Sequence, residues 1–206
     1  MAKVTSKSRT GYRTGRPREF DADRALDAAL KVFWSRGYER ASLAELTQAM
    51  GINKPSLYAA FGDKAELFRK VVDRYVQRQA SVWESLLAEK SARTAVEKML
   101  LAAADSLTGS ANPRSCLLVQ AALSFTKESD CIKKELAAKR ADGDLLLRTR
   151  LQRAQTDGEL PSHVDVSALS RFYNAVLRGM SVEASGGASR SDLQNIIDLA
   201  MKAWPA

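Results

Sequence analysis

The sequence is poor in the residues from which most metal and catalytic sites are built. Its 206 residues include two cysteines, Cys116 and Cys131, and one histidine, His163. Two cysteines are too few for a disulfide framework, and the three residues lack the compact spacing of zinc ligands. A Gly-rich phosphate loop, a paired-carboxylate signature and a Cys-x-x-Cys motif are also missing. We therefore predict no metal, no cofactor and no enzymatic activity.

Long apolar runs are also missing. The longest, such as residues 99–104, are too short to cross a bilayer, and the N-terminus does not resemble a signal peptide. We therefore expect a cytoplasmic protein without a membrane partner. The alternation that marks strands is absent, whereas helical spacing recurs along the chain. The predicted fold class is all-α, with about nine helices.

Positive charge is concentrated towards the N-terminus. Residues 1–80 contain 16 Lys and Arg against 9 Asp and Glu, whereas the remainder contains 16 against 15. Residues 1–18 hold six basic residues and no acidic one, which predicts a disordered basic arm. A basic N-terminal third on a near-neutral remainder is typical of a nucleic-acid-binding head, although a solubilising surface has the same composition.

Helix start and stop signals divide the rest of the chain. A first helix is predicted from the N-cap Asp21 to a stop at Gly37. Ser42 begins a short second helix that ends at Gly51, and a short third helix has Pro55 in its first turn and ends at Gly62. A longer fourth helix follows, capped by Asp63 and extending through Val76. Five more helices are predicted at residues 92–108, 114–127, 129–156, 165–185 and 190–204.

The two short helices and the glycine-containing turn between them predict a helix-turn-helix. Four segments sharpen this prediction: residues 25–38 (ALDAALKVFWSRGY), 41–46 (ASLAEL), 51–58 (GINKPSLY) and 61–67 (FGDKAEL). In order, spacing and residue type they resemble the DNA-binding domain of the TetR/AcrR family of transcriptional regulators. The resemblance covers about residues 20–75. It implies a ligand-responsive homodimer that binds a palindromic operator in double-stranded DNA, most often as a repressor, and is released by a small-molecule effector.

The resemblance also implies which residues contact DNA. They are Ser42 at a phosphate, Lys54, Ser56 and Tyr58 at the DNA backbone and bases, and Lys64 at a phosphate. Two alternatives remain open: Ser42 as a helix cap only, and Tyr58 as a buried packing residue. Many family members carry bulky or polar residues where this chain has Ala59 and Ala60, which predicts fewer base contacts at these two positions.

The basic arm contains Arg16 and Arg18, which flank a proline. Such arginines can lie in a narrow minor groove, or belong to a solvated tail that only accelerates association. The predicted domains are therefore the arm (residues 1–18), a helix-turn-helix domain (residues 19–66) and a helical effector-binding and dimerisation domain (residues 67–206).

The last two predicted helices carry apolar stripes. By the resemblance, they pair with the same helices of a second chain to form a four-helix bundle. Alternatively, the stripes complete the core of a single chain. They comprise Leu169, Phe172, Tyr173, Val176, Leu177 and Met180 in one helix and Leu193, Ile196, Ile197, Ala200, Met201 and Trp204 in the other.

The middle helices are expected to enclose the effector pocket, with Leu101, Cys116 and Phe125 as candidate ligand contacts. Cys116 is predicted in the first turn of a helix with Arg114 close by, an environment that favours a reactive thiolate. Modification of this thiol is therefore predicted as a second way to release the DNA. The alternative is a small buried apolar residue. Two other function classes stay open: a small thiol-dependent enzyme that uses Cys116, and an architectural DNA-binding protein without an effector.

Overall fold

The computed structural model describes residues 21–122 and 130–205. Within these ranges the chain forms nine α-helices and no strand, which confirms the all-α prediction. The helices are α1 (Ala22–Arg40), α2 (Leu43–Met50), α3 (Lys54–Phe61), α4 (Lys64–Leu87), α5 (Ala92–Thr108), α6 (Leu117–Ala122), α7 (Asp130–Thr156), α8 (Val166–Ser185) and α9 (Arg190–Lys202). None of these helices is long and apolar enough to cross a membrane.

Side-chain caps define the starts of the four N-terminal helices, which we call the head. The predicted caps Asp21, Ser42 and Asp63 all accept hydrogen bonds from the first turn of their helices. The cap of α3 was not predicted: Asn53 accepts a hydrogen bond from the backbone N–H of Ser56 at 2.9 Å. Each cap satisfies a backbone donor that a helix start leaves unpaired.

Three glycines of the head, Gly37, Gly51 and Gly62, have positive φ angles that other residues rarely adopt. Gly51 ends α2 in the left-handed conformation, with φ 68° and ψ 28°. Gly37 lies at φ 76° and ψ 170°, so the predicted break is present, but helical structure continues beyond it to Arg40. The predicted stop is therefore a kink near the end of α1.

Two other helices depart from their predicted limits. The fourth helix runs to Leu87, past Val76 and uninterrupted across the predicted boundary between residues 66 and 67. The sixth begins at Leu117, not at residue 114, because residues 109–116 form a loop.

Two hydrophobic clusters form the core. The first joins the head helices and also takes in residues of α6 and α7, including Leu117 and Ile132. The second lies in the body, by which we mean α5 to α9, and joins α5, α7, α8 and α9 around Leu100, Leu151, Tyr173 and Ile197. Because α6 and α7 also contribute to the head core, the head and the body are packed together.

A buried arginine closes the far end of the body. Arg150 is only 4% exposed, and its Nη2 donates to the backbone carbonyls of Glu89 and Lys90 and to Glu159 Oε1 at 3.0 Å. The other carboxylate oxygen of Glu159 accepts from the backbone N–H of Ala92 at 2.6 Å. These contacts tie the α4–α5 turn to the end of α7.

Candidate DNA-binding surface and candidate effector cavity

The outer face of α3 presents the predicted recognition residues. Lys54 and Tyr58 are exposed, Tyr58 by 50%, and Ser56 is partly exposed, while Leu57 and Phe61 are buried against the head core. The alternative that Tyr58 is a buried packing residue is therefore wrong. One face of α3 thus anchors the helix, and the other offers an ammonium and a phenol to solvent.

Ser42 acts as a helix cap. Its hydroxyl accepts from the Glu45 backbone N–H at 3.1 Å and donates to Glu45 Oε2 at 2.9 Å, and the same carboxylate oxygen accepts from the Ser42 backbone N–H. These hydrogen bonds hold the pKa of Glu45 below its ordinary value. Ser42 remains exposed, so the cap does not shield it from a partner molecule.

Lys64, at the start of α4, leans towards the end of α1. Its Nζ donates to the carbonyl of Glu39 at 3.3 Å and lies 4.6 Å from the ring centre of Tyr38. Burial lowers its pKa, an effect that the charge of Glu39 opposes. The ammonium group is therefore held at the junction of α1 and α4, and it is not an extended surface charge.

Helices of the head and of the body together line a cavity of about 390 Å³, within the range typical of small-molecule sites. Residues from α1 and α4 to α8 line it, as does the loop that precedes α6. Apolar lining residues include Trp34, Trp83, Leu107, Leu118, Val119, Leu146 and Leu177. Two of the three tryptophans therefore contribute to its wall.

Cys116 lies on the cavity wall immediately before α6, and its carbonyl accepts from the backbone N–H groups of Val119 and Gln120. Its own backbone N–H donates to Ser181 Oγ of α8 at 2.7 Å, and Tyr75 OH of α4 donates to its Sγ at 3.4 Å. The predicted neighbour Arg114 instead donates to the carbonyl of Ala188. Cys116 is half-buried and lines a space, so it is not simply a core residue.

The contacts around Cys116 continue into the head. Trp34 Nε1 of α1 donates to the carbonyl of Ser115 at 2.7 Å, and its ring meets that of Tyr75 edge to face at 5.0 Å. Burial, then the proximity of Cys116, raises the pKa of Tyr75 well above its ordinary value. We call Trp34, Tyr75, Ser115 and Cys116 the junction, because they join α1, α4 and the α6 loop at the cavity wall.

The cavity also has a charged wall that the sequence analysis missed. Arg140 of α7 and Arg178 of α8 line it together with three other charged residues of α7, Lys139, Asp142 and Asp144. Arg178 pairs with Asp144, and Arg140 Nη1 donates to the carbonyl of Leu118 at 3.0 Å. The spacing of residues 140 and 144 indicates a shared helix face, but no local signal places Arg178 beside them.

The other predicted ligand contact within the described residues, Leu101, is not on this wall. Leu101 packs against the body core and is absent from the cavity lining. Arg16, Arg18 and Phe125 lie outside the described residues. Cys131 is exposed near the start of α7, where its thiol donates to Glu135 at 3.3 Å. The described residues contain no cluster of three His, Cys, Asp or Glu side chains arranged to hold a metal ion.

The predicted stripes of α8 and α9 divide between core and surface. Seven of the twelve residues are buried within the chain: Leu169, Tyr173, Met180, Leu193, Ile197, Ala200 and Met201. Apolar surface remains on α8 at Phe172 and Val182, and on α9 at Leu199, which is 66% exposed. The alternative that the stripes complete the monomer core is therefore right for most of their residues. Of these three exposed apolar residues, Phe172 belongs to a predicted stripe and Val182 and Leu199 do not.

An exposed recognition helix on a capped head, joined to an all-helical body with a cavity, defines a DNA-binding transcriptional regulator. The family model described as "Bacterial regulatory proteins, tetR family" matches residues 25–71, and that described as "Tetracyclin repressor-like, C-terminal domain" matches residues 92–190. The chain belongs to the TetR family, whose members are transcriptional regulators and not enzymes.

Similarity to individual proteins extends over nearly the whole chain. The chain is 39% identical to the HTH-type transcriptional repressor ComR of Escherichia coli K12. The alignment spans 193 residues and covers 93% of this chain and 92% of ComR. The chain is 31% identical over 182 residues to the repressor BdcR of the same organism, covering 87% and 86% of the two chains. A structure of the TetR-family regulator CifR, a cysteine mutant complexed with 26-bp operator DNA, has a TM-score of 0.89 and 43% identity, and covers 92% of this chain and all of that one.

Proposed function

We propose that this protein is a ligand-responsive repressor that binds a palindromic operator as a homodimer. The observation that carries the proposal is the outward face of α3, where Lys54 and Tyr58 are exposed and Ser56 is accessible. The similarity to CifR bound to operator DNA and to two named repressors supports it. In this proposal residues 19–66 bind DNA, residues 67–206 bind effector and partner, and Arg16 and Arg18 of the arm follow the minor groove.

The DNA contacts follow from the chemistry of the head. Lys54 and Tyr58 contact phosphates and base edges in the major groove, and Ser56 contacts the backbone beside them. Ser42 contacts a phosphate at the start of α2, and Lys64 does so at the start of α4, where the helix dipole also favours an anion. The Lys64 ammonium has three N–H donors, so it can contact the phosphate and keep its hydrogen bond to the Glu39 carbonyl.

The homodimer forms through α8 and α9. A helix-turn-helix protein needs two recognition helices to contact half-sites about 34–36 Å apart. Phe172, Gly179 and Val182 are exposed on α8 at spacings that place them on one face, and Leu199 is exposed on α9. These residues are the proposed contacts with the second chain, in place of the buried residues of the predicted stripes.

In this proposal, release of the protein from operator DNA depends on the junction. A molecule bound in the cavity contacts Trp34 of α1 and Tyr75 of α4 directly, and so favours a different position of the head. Modification of the Cys116 thiol has the same effect, because a larger group at Sγ displaces the Tyr75 hydroxyl. A differential affinity of about 1.4 kcal/mol changes operator occupancy about tenfold.

The DNA-binding part is tested by fluorescence anisotropy, with the upstream intergenic DNA and a scrambled duplex at about 150 mM salt, a concentration fixed because salt sets nonspecific affinity. We expect affinity for the intergenic DNA to exceed that for the scrambled duplex by at least about a thousandfold. Lys54→Ala and Tyr58→Ala should each lose about tenfold or more in specific affinity. Lys133→Ala, which removes an exposed lysine of the body, is the matched control. Equal affinity for both duplexes would favour an architectural DNA-binding protein.

The thiol part is tested by alkylation with N-ethylmaleimide, which adds the thiol across its double bond. We expect the treated protein to lose operator affinity, Cys131→Ser to respond in the same way, and Cys116→Ser to be unaffected. Loss of affinity in the Cys116→Ser variant would remove Cys116 from the release mechanism. Turnover of a thiol-reactive substrate, as opposed to stoichiometric modification, would favour the enzyme alternative.

A further inference from the structure

One cation on the charged wall of the cavity forms no ion pair within the described part of the chain. Arg140 and Arg178 line the cavity together with two carboxylates, Asp142 and Asp144, and Arg178 forms an ion pair with Asp144. Lys139, the next cation on α7, is directed elsewhere, because its Nζ pairs with Asp73 of α4 at 2.8 Å. Within the described part of the chain, Arg140 is therefore the lining cation without an ion-pair partner.

The hydrogen bonding of Arg140 leaves part of its guanidinium available. Nη1 donates to the Leu118 carbonyl, and no acceptor for Nε or Nη2 is present among the described residues. Burial, followed by the neighbouring charge of Arg178, lowers the pKa of Arg140. An anion placed beside Arg140 would oppose both effects, and the Nε–Nη2 edge of a guanidinium matches the two oxygens of a carboxylate.

The rest of the wall is suited to an apolar group. The side chains of Trp34, Trp83, Leu107, Val119 and Leu177 all line the same cavity. An effector that occupies it must therefore combine a large apolar part with a single, localised polar group. A small inorganic anion would leave the apolar wall uncovered, and a neutral hydrocarbon would leave Arg140 unpaired.

We propose that the effector of this regulator is an amphipathic monocarboxylate, whose carboxylate pairs with Arg140 and whose aryl or alkyl body fills the cavity. This inference deepens the proposed function, since it assumes that the cavity is the effector site. It assigns Arg140 as the residue that selects charged over neutral molecules of the same shape. Asp144 opposes binding, because its carboxylate repels the incoming anion and competes for the same two arginines.

The experiment measures binding to the full-length protein directly, by calorimetry without DNA. The probes are 1-naphthylacetate, 4-phenylbutyrate and decanoate, each paired with its neutral primary amide. We expect at least one acid to bind, and its amide to bind about ten- to a hundredfold more weakly, because hydrogen bonds to a charged group are lost. Amides that bind as well as their acids, or acids that do not bind at all, would overturn the proposal.

Three variants separate the role of Arg140 from a general effect on the fold. Arg140→Gln should lose the preference for acid over amide, whereas Arg148→Gln, an exposed arginine of the same helix, should keep it. Asp144→Asn should bind the acid more tightly than the unaltered protein, because Arg178 is then also available. Unchanged acid binding in Arg140→Gln, or weaker binding in Asp144→Asn, would contradict the assignment.

The two proposals fail separately. If acids bind through Arg140 but the protein shows no specific operator affinity, the carboxylate site stands and the proposed repressor function does not. If operator binding is specific but only neutral probes bind and release DNA, the repressor function stands and the carboxylate effector does not.

Discussion

The head and the body differ in how their interiors are filled. In the head, the rings of Phe33 and Phe68 meet edge to face with centres 5.0 Å apart, and both side chains are almost completely buried. The body instead borders a space of about 390 Å³, which it lines together with α1 and α4 and which contains half-buried charged side chains such as Arg140. A filled interior keeps one geometry, whereas an open one has room for another molecule. The head is thus suited to recognise DNA in a fixed shape, and the body to respond.

Two aromatic side chains belong both to the cavity wall and to the core of the head. At the junction, Trp34 and Tyr75 have one side in the cavity wall and the other in the head core cluster. A change in the cavity therefore reaches two helices of the head without an intermediate element. The following predictions test this contrast, from the largest expected effect to the smallest.

Truncating one leucine in each region should give very different losses of stability. Leu57→Ala removes a fully buried side chain of the head and should lower the free energy of unfolding by about 2–5 kcal/mol. Leu146→Ala removes a side chain that lines the cavity and is 41% exposed, and should lower it by about 1 kcal/mol or less. Chemical denaturation measures both. Similar losses would mean that the two interiors are equally well packed.

Arg150 tests how much the hydrogen bonds at the far end of the body contribute to the stability of the fold. Arg150→Met leaves the carbonyls of Glu89 and Lys90 and the carboxylate of Glu159 without their donor, and should lower the free energy of unfolding by about 1–3 kcal/mol. Arg148→Met, an exposed neighbour on the same helix, serves as the control in the same denaturation experiment. A stabilised Arg150→Met variant would instead indicate that the free-energy cost of burying this cation exceeds the stabilisation from its hydrogen bonds and ion pair.

Trp34→Phe should weaken the connection between head and body while keeping the aromatic contact with Tyr75. It removes the 2.7 Å hydrogen bond to the Ser115 carbonyl, worth about 1 kcal/mol. Operator affinity should remain within about twofold, but its loss on treatment with N-ethylmaleimide should become smaller. Trp83→Phe, at another tryptophan of the cavity wall, should retain the full response. A full response from Trp34→Phe would show that the signal takes another route.

Replacing Asp27 should have the smallest effect on stability, and this effect should depend on pH. Burial raises the pKa of Asp27, but hydrogen bonds and charges of Arg74 and Arg78 outweigh it, so the pKa lies below its ordinary value. A lowered carboxyl pKa stabilises the fold above the unfolded-state value of about 3.9, and this is lost as pH falls through the folded value. Asp27→Asn should therefore destabilise by about 0.5–1 kcal/mol at pH 7, and the difference should shrink below about pH 4. Thermal denaturation across pH measures this, and a loss independent of pH would exclude the ion pairs as its cause.

The extent to which the sequence predicted the structure follows the same division. Caps, glycines and apolar spacing act over a few residues, so the head helices and the exposed side of α3 were predictable. Position 37 was only partly predicted, because a positive φ at glycine produces a kink as readily as a stop. The charged wall and the Ser181 contact join residues far apart in the chain, such as 144 with 178 and 116 with 181, and no local pattern encodes such pairs. Arg114 shows the same limit: nearness in sequence to Cys116 did not decide where its guanidinium points.

The two contacts of Cys116 have a consequence for how this position can evolve. Its main chain is held by Ser181, and its side chain alone meets Tyr75. The start of α6 therefore does not depend on which side chain occupies position 116. Under the proposed release mechanism, substitution there would alter the chemical stimulus to which the protein responds and leave the surrounding backbone contacts unchanged. Under that mechanism, related regulators would gain responses to new stimuli through single substitutions at this position, and each variant would still fold.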